Sequence, residues 1–143
     1  MATLTFHLKH GQLAYSDGSQ CHAMPATSGK GVCINDPVCS GQTYQGPIPK
    51  GRYFLFSKDM DDPNFLHDLA RNIRFGDWGD WRIRLHAAPE TRTQDRTNLF
   101  LHCGLKRGSA GCIDVGGGLV GNKSTDQLKK ALLNADRSEL YVI

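Results

Sequence analysis

The chain has 143 residues, of which 39% are hydrophobic and 22% are charged, and its formal net charge is +3. This composition excludes a disordered chain, and the length suffices for a domain with a buried core. No apolar run is long enough to span a membrane, and the basic residues are scattered rather than clustered as in nucleic-acid-binding proteins. We therefore expect a single domain over residues 1–143 with neither a membrane span nor a nucleic-acid partner.

Short β-strands dominate the predicted secondary structure. Alternating or continuous apolar residues predict strands at Thr3–Leu8, Leu13–Tyr15, Gly51–Ser57, Trp81–His86, Leu99–His102 and Ser138–Ile143. Two short helices are also predicted. The first begins at Asp62-Pro63 and extends to Ile73, and the second begins with a capping box formed by Ser124 and Gln127. The sequence therefore predicts a fold that is mainly β with two short helices.

The five cysteines include three in a stretch rich in glycine, serine and proline: Cys21, Cys33 and Cys39. In an oxidising compartment one disulfide could close a loop here, most simply between Cys33 and Cys39. In the cytosol all the thiols would stay free, and the sequence leaves both alternatives open. A metal site is not favoured, because there is no CxxC pair and His102 and Cys103 are adjacent rather than at ligand spacing.

Residues 101–114 carry the clearest chemical signal. His102 lies ten positions before Cys112, and small or polar residues precede the cysteine. A thiol becomes a nucleophile as thiolate, and a nearby imidazole is a common way to obtain one near neutral pH. Gly111 allows a sharp backbone turn whose amides could face a developing oxyanion. The segment therefore indicates a nucleophile, its base and an oxyanion pocket.

The order of motifs along the chain resembles the L,D-transpeptidase catalytic domain. The segments that carry the resemblance are Ala26–Lys30, Gly46–Tyr53, His102 and Ser109–Ile113, in that order. The Ser-Ala-Gly-Cys-Ile-Asp ending resembles more closely the branch of type VI secretion effectors of the Tlde1 kind. The resemblance covers about residues 3–120 and implies a β-sandwich of the L,D-transpeptidase type.

The resemblance also implies a role for each residue of the motif. Cys112 would be the nucleophile and His102 the general base, while the amides of Gly111 and Cys112 would face the oxyanion. Ser109 would fix the loop by hydrogen bonding, and the backbone carbonyl of Cys103 would align the histidine. These assignments require no cofactor and no metal.

Two positions and one spacing depart from the wider family. Ala110 stands where a second histidine is usual, and Asp114 where Asn or Arg is usual. The ten-residue separation of His102 and Cys112 is also short for the family. These departures argue more against ordinary cell-wall crosslinking than against acyl transfer by a thiol.

The implied substrate is the stem tetrapeptide of peptidoglycan. Either water would release a tripeptide, as in an L,D-carboxypeptidase, or an amine would take the acyl group, as in L,D-transpeptidase exchange. The first residues, Met1–His7, lack a secretory signal. We therefore expect a toxin made in the cytoplasm, secreted by a type VI apparatus into the periplasm of a target bacterium, and blocked by a cognate immunity protein.

Further candidates for substrate binding are weaker. Arg107, Arg92 and Arg96 could bind a carboxylate through the fork of the guanidinium group. His86 and Trp78 could line the cleft. For each of these residues an ordinary structural or solvated role is the alternative.

Two other functions remain open from the sequence. A papain-like or NlpC/P60-type peptidoglycan hydrolase needs its cysteine before its histidine, so it would have to use Cys21, Cys33 or Cys39. A non-catalytic, disulfide-stapled module that binds the cell wall would instead bury or bridge Cys112, for example to Cys103.

Overall fold

The computed structural model describes residues 1–62, 80–104 and 109–143. These residues form two β-sheets, one α-helix and three single-turn 3-10 helices. The strands, in chain order, are β1 (Thr3–His7), β2 (Gln12–Ser16), β3 (Cys21–Pro25), β4 (Thr27–Gly29), β5 (Gly51–Phe56), β6 (Arg82–Arg84), β7 (His86–Ala87), β8 (Phe100–His102), β9 (Ser109–Asp114) and β10 (Arg137–Val142). The predicted mainly-β class is confirmed. The first predicted helix falls within 63–79, outside the described residues.

The first sheet has six strands in the order β3-β2-β1-β10-β5-β7. The first three strands form an antiparallel meander, and β1 pairs in parallel with β10. Alternate residues of β1 and β10 are buried, as expected for strands with one face on the core: Leu4, Phe6, Leu140 and Val142.

The second sheet has four strands in the order β4-β9-β8-β6. β8 pairs antiparallel with β6 and parallel with β9, and β9 pairs antiparallel with β4. One face of this sheet contributes Ile83, Leu101 and Ile113, all fully buried, to the same hydrophobic core as the six-stranded sheet. The core therefore lies between two sheets, which leaves the other face of the four-stranded sheet to carry different chemistry.

The helix α1 (Lys123–Leu133) closes the core with its buried residues Leu128, Ala131 and Leu132. Its N-cap is Asn122, whose side-chain oxygen accepts a hydrogen bond from the backbone amide of Thr125 at 2.9 Å. In return, the Thr125 hydroxyl accepts from the backbone amide of Asn122 at 2.8 Å. The predicted capping box of Ser124 and Gln127 is therefore wrong by two positions. Asparagine caps a helix as well as serine does, and local pattern alone does not choose between adjacent caps.

The predicted strand Trp81–His86 is split between the two sheets. β6 pairs with β8 in the four-stranded sheet, whereas His86 of β7 pairs with Phe54 of β5 in the six-stranded sheet. Trp81 is fully buried in the core. The alternation of apolar residues predicts extended backbone here correctly. A local pattern cannot show, however, that the chain crosses from one sheet to the other.

A disulfide joins Cys33 and Cys39, the simplest of the predicted pairings. It links two 3-10 helices, Gly31–Cys33 and Pro37–Cys39, in a segment that follows directly from β4. Within the described residues, no helix is both long and apolar enough to cross a membrane.

Candidate active site

His102 and Cys112 lie on the same face of the four-stranded sheet. In the parallel pair of β8 and β9, Leu101 is aligned with Ile113 and His102 with Asp114. Because side chains alternate along a strand and aligned residues share a face, His102, Cys112 and Asp114 all point away from the core. His102 and Cys112 are diagonal neighbours, a relation in which Cα atoms are roughly 7–8 Å apart and an imidazole can approach a thiol.

The imidazole of His102 is held by the backbone. Its Nδ1 lies 2.8 Å from the carbonyl oxygen of Cys103, and the side chain is 3% exposed. A carbonyl oxygen can only accept, so Nδ1 is the donor. In the neutral ring Nε2 then carries the lone pair and is the atom able to take up a proton.

The Cys112 thiol is buried at 6% exposure, and its Sγ donates to the Asn98 carbonyl across 3.8 Å. Burial raises the pKa of this thiol to about 11, although a backbone hydrogen bond from Phe100 and the positive charges of Arg82 and Arg96 act in the opposite direction. At neutral pH only about one thiol in ten thousand would be ionised on that basis. A nucleophile in this position therefore needs a base that removes the proton as the reaction occurs.

The backbone before Cys112 departs from a regular strand. Between the aligned pairs Thr27–Asp114 and Gly29–Ser109, two steps of β4 face five steps of β9, which is a bulge. Gly111 has φ +101, a conformation that favours glycine. The Ser109 hydroxyl donates to the Cys112 carbonyl across this turn. The bulge takes the Gly111 and Cys112 amides out of the regular ladder with β4.

Arg96 links the segments around the bulge through hydrogen bonds. Its side chain is 5% exposed and donates to the carbonyl oxygens of Ser40 at 2.8 Å, Gly46 at 3.0 Å and Pro47 at 3.2 Å, with a longer contact to Ala110 at 3.4 Å. A Cβ added to Gly111 would lie 2.2 Å from Arg96 Nη2, so the two residues pack directly. Arg96 is therefore committed to backbone carbonyls and is not placed as the substrate-binding arginine considered from the sequence.

Two segments that carry the resemblance to L,D-transpeptidases, Ala26–Lys30 and Gly46–Tyr53, support this bulge. Ser28 of β4 is fully buried and its hydroxyl accepts from the Ile48 amide at 2.8 Å. The Asn35 side chain accepts from the Ser28 amide at 2.9 Å. These bonds bring Ala26–Lys30 and Gly46–Tyr53 together beside β9.

Asp114 is buried at 4% exposure on the same face as His102 and Cys112. Its Oδ1 accepts from the Gly116 amide at 2.7 Å and holds the turn that follows β9. A Cβ added to Gly104 would lie 2.5 Å from Asp114 Oδ2, so a glycine is required there.

The other sequence candidates are placed as follows. His86 belongs to the six-stranded sheet, where its Nε2 lies 2.7 Å from Asp59 Oδ2 and its ring packs edge-on against Phe56. It does not share a sheet face with His102 and Cys112. Arg92 is exposed, and Trp78 and Arg107 lie outside the described residues.

The state of the cysteines bears on both alternative functions. Cys33 and Cys39 are joined in a disulfide and cannot act as nucleophiles, and Cys21 is an exposed thiol on the edge strand β3 of the other sheet. This removes Cys33 and Cys39 as nucleophiles of a papain-like arrangement. Cys103 and Cys112 are both free thiols, so a stapled binding module would lack the bridge between them. Cys112 is buried, as that module also predicts, so this alternative stays open.

The face of the four-stranded sheet that carries His102 and Cys112 is called the reactive face below. Three further residues of this face were not selected from the sequence: Arg82, Arg84 and Phe100. Arg82 is aligned with His102 and Arg84 with Phe100. The signal that could have found them was the alternation of the predicted strand, in which Ile83 and Leu85 face inward and the arginines outward.

The part of the chain that the structure describes offers no cluster of metal ligands at the site. No group of three or more His, Cys, Asp or Glu side chains there could hold a metal ion. Two surface cavities of about 220 Å³ each lie elsewhere, one beside His7 and Lys50 and the other between His22 and Lys130.

Comparison with known proteins gives one family and two structures. The family model of the Tlde1 domain matches residues 22–137. The structure of Bd1075 from Bdellovibrio bacteriovorus matches with a TM-score of 0.58 and 19% identity over 99% of this chain and 47% of that one. L,D-transpeptidase 1 from Mycobacterium tuberculosis matches with a TM-score of 0.53 and 14% identity over 99% of this chain and 62% of that one. No protein of curated function matches significantly.

These comparisons confirm the predicted resemblance and fold. At such identities the two structures establish the fold alone, that of the L,D-transpeptidase type. The chain spans about half the length of the first and less than two thirds of the second.

Proposed function

The chain belongs to the Tlde1 domain family of type VI secretion effectors that act on peptidoglycan, and we propose that it is a cysteine-dependent enzyme acting on stem tetrapeptides. The observation that carries the proposal is the placement of Cys112 and His102 on one sheet face, with the histidine Nδ1 fixed on the Cys103 carbonyl. This arrangement supplies a thiol nucleophile and a base of defined tautomer.

The first half-reaction is acyl transfer to sulfur. His102 Nε2 takes the Cys112 proton as Sγ attacks the carbonyl that joins an L-centre to the terminal D-Ala. The amides of Gly111 and Cys112 would stabilise the oxyanion, since the bulge removes them from the regular ladder. The protonated His102 then gives its proton to the departing amine of D-Ala, leaving a thioester.

The second half-reaction decides the product. Water attacking the thioester yields a tripeptide, whereas a free D-amino acid regenerates a tetrapeptide with a new terminal residue. Either reaction removes tetrapeptide stems that end in D-Ala. The buried thiol, with its pKa raised to about 11, supports proton transfer to His102 during the attack rather than a preformed thiolate.

Delivery to the periplasm is part of the proposal. The disulfide between Cys33 and Cys39 is suited to an oxidising compartment and would not persist in a reducing cytosol. A secreted effector of this family would be made in the cytoplasm and act in a target cell, where a cognate immunity protein would block the cleft.

The test is release of D-Ala from purified disaccharide-tetrapeptide, followed by mass spectrometry with and without an added D-amino acid. Cys112→Ala and His102→Ala should each abolish release. Cys21→Ala is the matched control, since it removes an exposed free thiol on the other sheet and should leave the rate unchanged. D-Ala release by Cys112→Ala at the wild-type rate would contradict the proposal.

A further inference from the structure

Two arginines stand beside the nucleophile on the reactive face of the four-stranded sheet. Antiparallel pairing aligns Arg82 with His102 and Arg84 with Phe100. Parallel pairing aligns Leu101 with Ile113, which puts Phe100 next to Cys112. Arg84, Phe100 and Cys112 therefore form one row across three strands, about 10 Å from end to end at the strand spacing of a sheet.

The burial pattern agrees with this assignment of faces. The residues that alternate with this row along the strands are fully buried in the hydrophobic core: Ile83, Leu101 and Ile113. Phe100 and Cys112 are also buried, but they are not members of the core cluster. They lie on the opposite side of the sheet from the core.

Both guanidinium groups cover the Phe100 ring, Arg84 at 4.7 Å and Arg82 at 4.8 Å from its centroid. Arg82 Nε is paired with Asp61 Oδ2 at 2.9 Å. Arg84 Nη1 donates to the neutral Asn98 amide oxygen at 3.1 Å, a contact that fixes the side chain without neutralising it. Arg84 therefore keeps its positive charge over this ring, which favours the approach of an anion.

We propose that Arg84, assisted by Arg82, forms a binding site for the terminal carboxylate of the residue that leaves, and so restricts the enzyme to stems with a free C-terminus. The inference rests on the proposed function and deepens it. The carboxylate of a single leaving residue lies within one residue of the scissile carbonyl, at most about 3.8 Å along the chain. That distance is close to the single strand spacing that separates Cys112 from the Phe100 position.

The charges across the face also set the direction of the peptide. Arg82 and Arg84 occupy the β6 edge, while the buried carboxylate of Asp114 lies on β9 beyond His102. An anionic C-terminus is attracted to Arg84 at the β6 edge. The acyl part of the stem would then extend from Cys112 away from β6.

The test measures binding in the Cys112→Ala background, which does not depend on turnover. The two probes are a disaccharide-tetrapeptide ending in a D-Ala carboxylate and the same molecule ending in a carboxamide. The carboxylate form should bind about 10- to 100-fold more tightly, the range expected for hydrogen bonds to a charged group. Adding Arg84→Gln should remove this preference, and Arg84→Lys should restore part of it because the charge returns without the fork.

Arg137→Gln is the matched control. Arg137 also places its guanidinium over an aromatic ring, Phe54 at 5.1 Å, but it lies on the six-stranded sheet. It should leave the preference for the carboxylate intact. Equal affinity of the two probes, or a preference that survives Arg84→Gln, would overturn the inference. Failure of the proposed function would appear separately, as no D-Ala release by the wild-type enzyme.

Discussion

At the scale of single residues, the proposed chemistry depends on how Cys112 loses its proton. The thiol is buried and hydrogen-bonded to the Asn98 carbonyl, and burial raises its pKa to about 11. The ring of His102 is held by Cys103 in the tautomer that can accept a proton at Nε2. The two facts together predict that the pH dependence of Cys112 reactivity is set by His102.

Alkylation of Cys112 by iodoacetamide tests this dependence. In His102→Ala the rate should rise about tenfold per pH unit and level off only near pH 11, because the reactive thiolate forms as pH approaches the raised pKa. The wild-type protein should show additional reactivity near neutral pH. Peptide mass spectrometry reads Cys112 and Cys21 in the same sample, so the exposed Cys21 is an internal reference. A plateau near pH 8 in His102→Ala would contradict the account.

Arg96 gives a second prediction at this scale. Arg96→Met leaves the carbonyls of Ser40, Gly46 and Pro47 without their buried donor, so the free energy of unfolding should fall by about 2 kcal/mol or more. Arg92→Met is the control, because Arg92 is exposed in the same segment and should change stability by less than about 0.5 kcal/mol. Urea denaturation measures both. Equal stability of the two variants would contradict the role given to Arg96.

At the scale of elements, the loop closed by the Cys33–Cys39 disulfide supports β9, the strand that carries Cys112. The loop follows β4, the partner of β9, and Ser40 next to Cys39 provides a carbonyl to Arg96. The disulfide therefore stabilises a segment whose contacts lead to Gly111 and the bulge.

Replacing both bridged cysteines with serine should lower the free energy of unfolding by about 2 kcal/mol, the chain-entropy value for a loop closed by a separation of six residues. Urea denaturation with and without a reductant provides the measurement. Reductant should bring the wild-type protein to the stability of the double variant and leave the variant itself unchanged. A wild-type protein whose stability is the same with and without reductant would show that the bridge does not constrain the fold.

Most strands could be predicted from the sequence because alternation is a local property. β1, β2, β5, β8 and β10 follow from their apolar residues alone. The division of Trp81–His86 between two sheets and the five-against-two bulge of β9 depend on partner strands that are distant in sequence. Cys112 and His102 follow from a local motif and remain predicted site residues, whereas Arg82 and Arg84 could be placed beside them only from the strand register.

At the scale of the whole molecule, two buried free thiols couple folding to alkaline pH. Burial raises the pKa of Cys103 to about 12 and that of Cys112 to about 11, against about 8.5 for an unfolded thiol. Because the folded pKa values are higher, the stabilisation is fully present below pH 8.5. It is lost as pH rises toward 11 and 12.

The stability of the wild-type protein should therefore fall between about pH 8.5 and pH 11 more steeply than that of Cys103→Ala. Comparing the two slopes removes the contribution of tyrosine and lysine titration that both proteins share. Chemical denaturation at several pH values provides the slopes. Parallel curves for the two proteins would show that Cys103 ionises as readily in the folded as in the unfolded chain.

Direct observation of the acyl-enzyme tests the central claim. The wild-type protein is mixed with disaccharide-tetrapeptide, quenched in acid within its first turnovers and analysed by intact-mass and peptide mass spectrometry. We predict an adduct equal to the substrate minus D-Ala, joined as a thioester to Cys112 and absent from Cys21 and from Cys112→Ala. Release of D-Ala without this adduct, or an adduct at any other residue, would contradict the account.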